Sequence, residues 1–178
     1  MKKLLRLLAA ASIAIGCDLR AEKLSAVSPD GRNEILLREK PLSFEIRRDG
    51  CLIVERSSIN MKINGALLDE CCAEPTITHR KLSGVEVSTV YKKGRIDLSG
   101  DEMVANFGNW RVRLVARNDG VAYRFETSCN EEITVDEELA SVVLPKDSNV
   151  GVFHLTKSFG MEEGVTCITA ADKVVTKS

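Results

Sequence analysis

The amino-acid sequence predicts an all-β domain, an antiparallel sandwich. Apolar residues recur at every second position from residue 23 onward, turn residues punctuate those runs, and no helical period is sustained past the N-terminal segment. Leu42, Phe44 and Ile46 alternate with Ser43, Glu45 and Arg47, which gives one strand an apolar and a polar face. Asp49-Gly50 tolerates the positive backbone angles of a tight hairpin, and Cys51 to Val54 returns as the partner strand. Ile59, Met61 and Ile63 alternate again before Asn64-Gly65, a second such turn. Val85, Val87 and Tyr91 share one face of a further strand. Trp110, Val112 and Leu114 share a face, with Arg111, Arg113 and Val115 opposite. Asn118-Asp119-Gly120 turns the chain, and Val121, Tyr123 and Phe125 face inward on the return, so Trp110, Val112, Leu114, Val121, Tyr123 and Phe125 are expected to be buried together. Ser28-Pro29-Asp30-Gly31 and Lys93-Gly94 are further turns. Asp136 to Leu139 could hold a short helical turn, although Ile133, Val135 and Ala140 to Leu144 read as strand. Nothing repeats at a fixed period, which argues against a solenoid or propeller.

A length of 178 residues fits one domain with a sizeable core. With aromatics at only 4%, that core must rest on Val, Leu and Ile. The net charge of -1 comes from mixed signs with no basic run, so nucleic acid is not expected as a partner.

Lys2 and Lys3 precede an apolar stretch, Leu4 to Ile15, broken only by Arg6 and Ser12. This is the layout of a secretory signal peptide, expected over residues 1–16 and too short to cross a bilayer core of ~30 Å. Ala14-Ile15-Gly16-Cys17 resembles a bacterial lipobox, although Leu is usual where Ala14 stands. Two outcomes follow: Cys17 becomes the lipidated first residue of the mature chain and its membrane attachment, or the chain is simply cleaved and Cys17 is incidental. Either way the mature chain, residues 17–178, is expected to be exported, as a periplasmic or membrane-anchored lipoprotein. Cys51, Cys71, Cys72, Cys129 and Cys167 remain; an odd count leaves at least one thiol unpaired in a monomer. With Cys71 and Cys72 adjacent and only His79 and His154 available, no zinc spacing arises, and the cysteines read as small buried hydrophobes, with room for one bridge.

Catalytic groups are sparse. The acidic pairs Glu131-Glu132, Glu137-Glu138 and Glu162-Glu163 are sequence neighbours, which on a strand point to opposite faces and cannot converge on one bond. They read as solvated charge. There is no nucleophile elbow and no Gly-rich phosphate loop. Trp110 could stack on a sugar ring, but its place in a strict alternation favours the core. No catalytic residue is assigned.

Val27-Ser28-Pro29-Asp30-Gly31, then Leu42-Ser43-Phe44-Glu45-Ile46 before Asp49-Gly50, then Ser57-Ser58-Ile59, resembles the opening of glycoside hydrolase family 97. Leu114-Val115-Ala116-Arg117-Asn118-Asp119-Gly120-Val121-Ala122-Tyr123-Arg124-Phe125 is the stronger match, followed by an acidic stretch and Leu144-Pro145-Lys146-Asp147. The likeness is strongest over residues 23–147 and fades past Lys146. It implies an incomplete sandwich of the galactose mutarotase-like super-sandwich type. In full-length relatives, typically from Bacteroidetes, such a domain supports an eight-stranded β/α barrel that acts as a calcium-dependent α-glucosidase or α-galactosidase. Measured against that family, the chain is expected to be truncated before the barrel, to bind carbohydrate at most, and to be inactive alone. The resemblance also places a calcium-contacting Glu near Glu162 or Glu163, with no cofactor expected for this chain by itself. A separate reading keeps the chain as an independent envelope lipoprotein that binds a protein or glycan.

Overall fold

The computed structural model describes residues 24–71, 74–90, 92, 94–154 and 165–170. In chain order the elements are β1 (Ser25–Val27), β2 (Asn33–Arg38), β3 (Ser43–Arg48), β4 (Cys51–Ile63), β5 (Ala66–Leu67), the short helix α1 (Leu68–Cys71), β6 (Thr76–Leu82), β7 (Val85–Val87) and β8 (Arg95–Asp97). They continue with β9 (Gly100–Asn106), β10 (Trp110–Arg117), β11 (Gly120–Thr127), β12 (Val135–Ala140), β13 (Asn149–His154) and β14 (Val165–Ala170). The all-β expectation holds, and the described strand pairs are antiparallel.

Two sheets face each other. One runs β1-β2-β3-β4-β12, with β5 also on β4; the other runs β11-β10-β9-β6. Ala26, Ile35, Leu37, Leu42, Phe44, Val54 and Ile59 from the first meet Met103, Ala105, Val112, Leu114 and Ala116 from the second. Period-two alternation delivers these side chains to one side of each sheet, and their burial is the main stabilising term. The β7–β8 and β13–β14 ribbons are separate two-stranded pairs.

The turns form as their residues require. Asp49 and Gly50 (φ +51° and +78°), and likewise Asn64 and Gly65 (φ +49° and +82°), take the left-handed angles of two-residue hairpins. In the first turn the Gly31 N–H donates to the Ser28 carbonyl at 2.8 Å, while Asp30 Oδ1 accepts from the Ser28 hydroxyl at 2.5 Å. That turn then meets the one joining β10 and β11. The buried Asn33 side chain donates to the Arg117 and Asn118 carbonyls at 2.9 and 3.1 Å, and the Asp30 N–H donates to Asn118 Oδ1 at 3.1 Å. Two loops far apart in sequence thus clasp one end of the sandwich.

Four expectations are corrected. Cys51–Val54 and Ile59–Ile63 are one strand of 13 residues, which stays continuous because irregularities in its pairing with β3 let it pass on to β12 and β5. Asp136–Leu139 is extended rather than helical, since the whole segment pairs with β4 around a register shift. Val85 and Val87 lie on a three-residue strand and are 52% and 68% exposed, because the β7–β8 ribbon stands clear of the sandwich; Tyr91 lies outside the described residues. Trp110, Val121, Tyr123 and Phe125 are half-buried, not buried, because β11 is the edge of its sheet and Trp110 sits at the strand's end. Tyr123 still packs between Phe44 and Phe125, with ring centroids 5.4 and 6.2 Å away.

Candidate functional site

The outward face of the four-stranded sheet carries a row of charge. Met103 and Ala105 point inward on β9, so Glu102 points out; Val112 and Leu114 do the same on β10, so Arg113 points out. Register then decides who meets whom. Arg80 on β6 stands directly opposite Glu102, while Val104 and Arg124 stand opposite Arg113, leaving Glu102 and Glu126 as its diagonal neighbours.

The contacts follow that layout. Arg80 Nε donates to Glu102 Oε1 at 3.0 Å, and Arg113 Nη1 lies 2.5 Å from Glu102 Oε2. Arg113 also forks onto Glu126, Nε to Oε1 at 2.7 Å and Nη2 to Oε2 at 3.0 Å. Arg124 Nε reaches Glu126 Oε1 at 2.7 Å. The result is an unbroken chain, Arg80–Glu102–Arg113–Glu126–Arg124, across four strands. Its centre is sheltered: the Glu102, Arg113 and Glu126 side chains are 7%, 18% and 19% exposed. The hydrogen bonds from Arg113, joined by Arg124, hold the Glu126 carboxyl down to about 2, and the same bonds raise the Arg113 guanidinium above its ordinary value.

Open grooves flank the row. One of about 570 Å³ is bounded by Arg117, Arg124, Leu82, Val115 and Tyr123; the other, about 550 Å³, by Thr76, Thr78, Asn106 and Arg111. Gly100 on β9 leaves room for Arg117, because a Cβ there would lie 2.9 Å from the Ala116 carbonyl oxygen and 3.0 Å from Arg117 Cγ.

The residues singled out from sequence lie elsewhere. Cys17, Glu162 and Glu163 fall outside the described residues. Glu131, Glu132, Glu137 and Glu138 are exposed, and the Glu137–Glu138 pair lies on β12. His79 is exposed on β6. Trp110 lines a narrow crevice with Leu68, Phe107 and Phe125 at the end of the sandwich. Against the expectation of buried cysteines, Cys51 is exposed, since it opens β4 beside the Asp49-Gly50 turn, and Cys129 is half-buried, both as free thiols. Among the described residues no group of three or more His, Cys, Asp or Glu is placed to hold a metal ion. Alternation along the sequence puts Arg111 and Arg113 opposite the apolar face, but it does not point to Glu102, Glu126, Arg80 or Arg124. The alternation in Gly100–Asn106 was the available signal for β9; nothing in the sequence fixes its register against β6 and β10.

Comparison with known proteins connects this sandwich to larger enzymes. The family described as "Glycosyl-hydrolase 97 N-terminal" matches residues 26–177, running on past Lys146, where the likeness fades to the eye. A retaining alpha-galactosidase of Bacteroides thetaiotaomicron is 27% identical over 157 residues, which is 85% of this chain and 23% of that protein. A glycoside hydrolase family 97 enzyme from Pseudoalteromonas sp. strain K8, solved with panose, superposes with a TM-score of 0.68 at 14% identity, over 82% of this chain and 24% of the enzyme. A beta-arabinopyranosidase structure superposes with a TM-score of 0.64 at 16% identity, over 78% of this chain and 24% of that one. The chain thus spans about a quarter of the length of these relatives. On the family match, which takes in most of its residues, the chain belongs to the glycosyl-hydrolase 97 N-terminal family.

Proposed function

We propose that this chain is a non-catalytic, carbohydrate-related sandwich domain, of the kind that supports a catalytic β/α barrel in longer relatives, and that it is inactive alone. The observation that carries this reading is the state of the two carboxylates at the centre of the charged row, Glu102 and Glu126. Glycoside hydrolysis needs two carboxyl groups facing one bond, one of them able to hold a proton near neutral pH. Glu126, held at about 2, stays ionised there, and both it and Glu102 are taken up by Arg113. Calcium, which the resemblance attaches to full-length relatives, finds no set of three candidate side-chain ligands among the described residues, whereas the ion takes about six to eight oxygens.

The test is an assay of the purified chain on chromogenic α-glucosides and α-galactosides, with and without calcium. Background hydrolysis is expected in every case. Turnover that disappears in Glu162→Gln or Glu163→Gln would make the chain an enzyme and end this reading.

The N-terminal sequence supports a further part of the role. Lys2-Lys3, the apolar run and Ala14-Ile15-Gly16-Cys17 favour export and attachment through a lipidated Cys17, which puts the sandwich at the envelope. Intact mass of the protein from membranes would show a chain starting at diacylated Cys17; a chain starting at Met1, or an unmodified Cys17, removes the anchor.

A further inference from the structure

We propose that the outer face of the four-stranded sheet binds an acidic oligosaccharide, a sugar chain bearing carboxylate or sulfate groups. Five arginines, Arg80, Arg111, Arg113, Arg117 and Arg124, gather on or beside this face against three carboxylates, Glu102, Glu126 and Asp119, in a protein whose net charge is -1. The fold has segregated positive charge that the sequence spreads over forty-odd positions. Glu102 and Glu126 are already bound by Arg80, Arg113 and Arg124. Arg111 and Arg117 have no ion pair among the described residues. They stand at opposite ends of β10, six residues and so ~20 Å apart at the strand rise.

That spacing suits an oligomer with repeated anionic groups, because each guanidinium can fork onto a carboxylate or sulfate. The groove walls fit a sugar chain between those points. Thr76, Thr78 and Asn106 offer hydroxyl and amide partners beside Arg111, and Leu82 and Val115 offer aliphatic surface beside Arg117. A single-stranded nucleic acid would instead need aromatic platforms for its bases. The groove linings contain two rings, Tyr123, which is packed against Phe44 and Phe125, and the imidazole of His79, too few for successive bases.

Calorimetry on the full chain at low ionic strength tests this, with tetragalacturonate as the probe. Saturable binding is expected, weakening as salt rises. It should fall by about tenfold or more in the Arg111→Gln/Arg117→Gln double variant. Arg32→Gln, which removes an arginine paired with Asp49 on a different turn, should leave it unchanged. Circular dichroism checks that the double variant is folded; should it not be, Arg111→Gln and Arg117→Gln are read singly, each expected to weaken binding. The proposal is overturned by no binding, by equal binding of neutral maltotetraose, or by unchanged affinity in folded variants. Tighter binding of a short oligothymidylate or of polyglutamate would overturn it equally, by assigning the face to nucleic acid or to an acidic protein. Because the readout is binding rather than turnover, its failure is distinct from any failure of the non-catalytic reading.

Discussion

The two faces of β10 are built from alternate residues of one eight-residue strand, yet they are held by different physics. Inward, Val112, Leu114 and Ala116 are 1%, 0% and 0% exposed and meet the facing sheet. Outward, Arg111, Arg113 and Arg117 share the surface with Val115, and Arg113 is fixed by carboxylates from two neighbouring strands. The inner face needs only apolar groups of the right volume, because hydrophobic burial has no direction. The outer face needs one register: a slip of a single residue would turn Glu102 or Glu126 to the other side of the sheet and leave Arg113 without partners. One face therefore sets how stable the domain is, and the other reports whether its strands are aligned.

The largest expected effect lies on the inner face. Leu114→Ala should cost about 2–5 kcal/mol, read as a lower urea midpoint, since it removes a fully buried side chain and leaves a cavity between sheets. Leu114→Met should cost less than about 1.5 kcal/mol, because volume is kept. If the two substitutions cost the same, packing on this face is not governed by volume and the contrast fails.

The outer face should respond to the identity of the group rather than its size. Glu102→Gln keeps the shape of the side chain but strips the charge that holds Arg80 and half of Arg113. A loss of about 1–3 kcal/mol is expected, the range for a hydrogen bond to a charged group in a sheltered site. A double-mutant cycle with Arg113→Gln should return a coupling of about 0.5–3 kcal/mol. Additive losses would mean that the pair is a contact without energetic weight, and the outer face would then be ordinary surface.

Legibility in the sequence divides along the same line. The inner face could be read in advance because it is local: Val112 and Leu114 announce themselves by alternation, and Asn118-Asp119-Gly120 fixes the hairpin to β11. The outward direction of Arg113 was legible for the same reason. Its partners were not. Glu102 is supplied by β9 and Arg80 by β6, and these pairings depend on registers that no short turn dictates. The half-burial of Val121, Tyr123 and Phe125 was also hidden, since alternation says which way a residue points but not whether its strand ends up at a sheet edge. The basic face is the sharpest case: no run of arginines exists in the chain, and only antiparallel pairing of four strands gathers them.

The smallest effect, and the most selective, is in acid. Glu126 has a depressed folded value, about 2 against an ordinary 4.5, caused first by its hydrogen bonds from Arg113. A carboxyl that is more acidic in the folded than in the unfolded state binds protons preferentially after unfolding. Its contribution is therefore complete above its ordinary value and is lost as pH falls from about 5 toward 2. Solvent reaches part of the pair and screens it, so about 1 kcal/mol is the expected size. Asp30 and Asp49 are also held below the usual carboxylate range, by Ser28 and Arg32 respectively, and will add to the acid sensitivity of the whole domain. The informative measurement is thus a difference. Urea midpoints of the unmodified chain and of Glu126→Gln, taken between neutral pH and the acid limit, should converge as pH falls, because Asp30 and Asp49 contribute to both curves and cancel. Curves that stay parallel would show that whatever Glu126 contributes does not come from its ionised charge on Arg113. The ordering of the outer face would then rest on Glu102 alone.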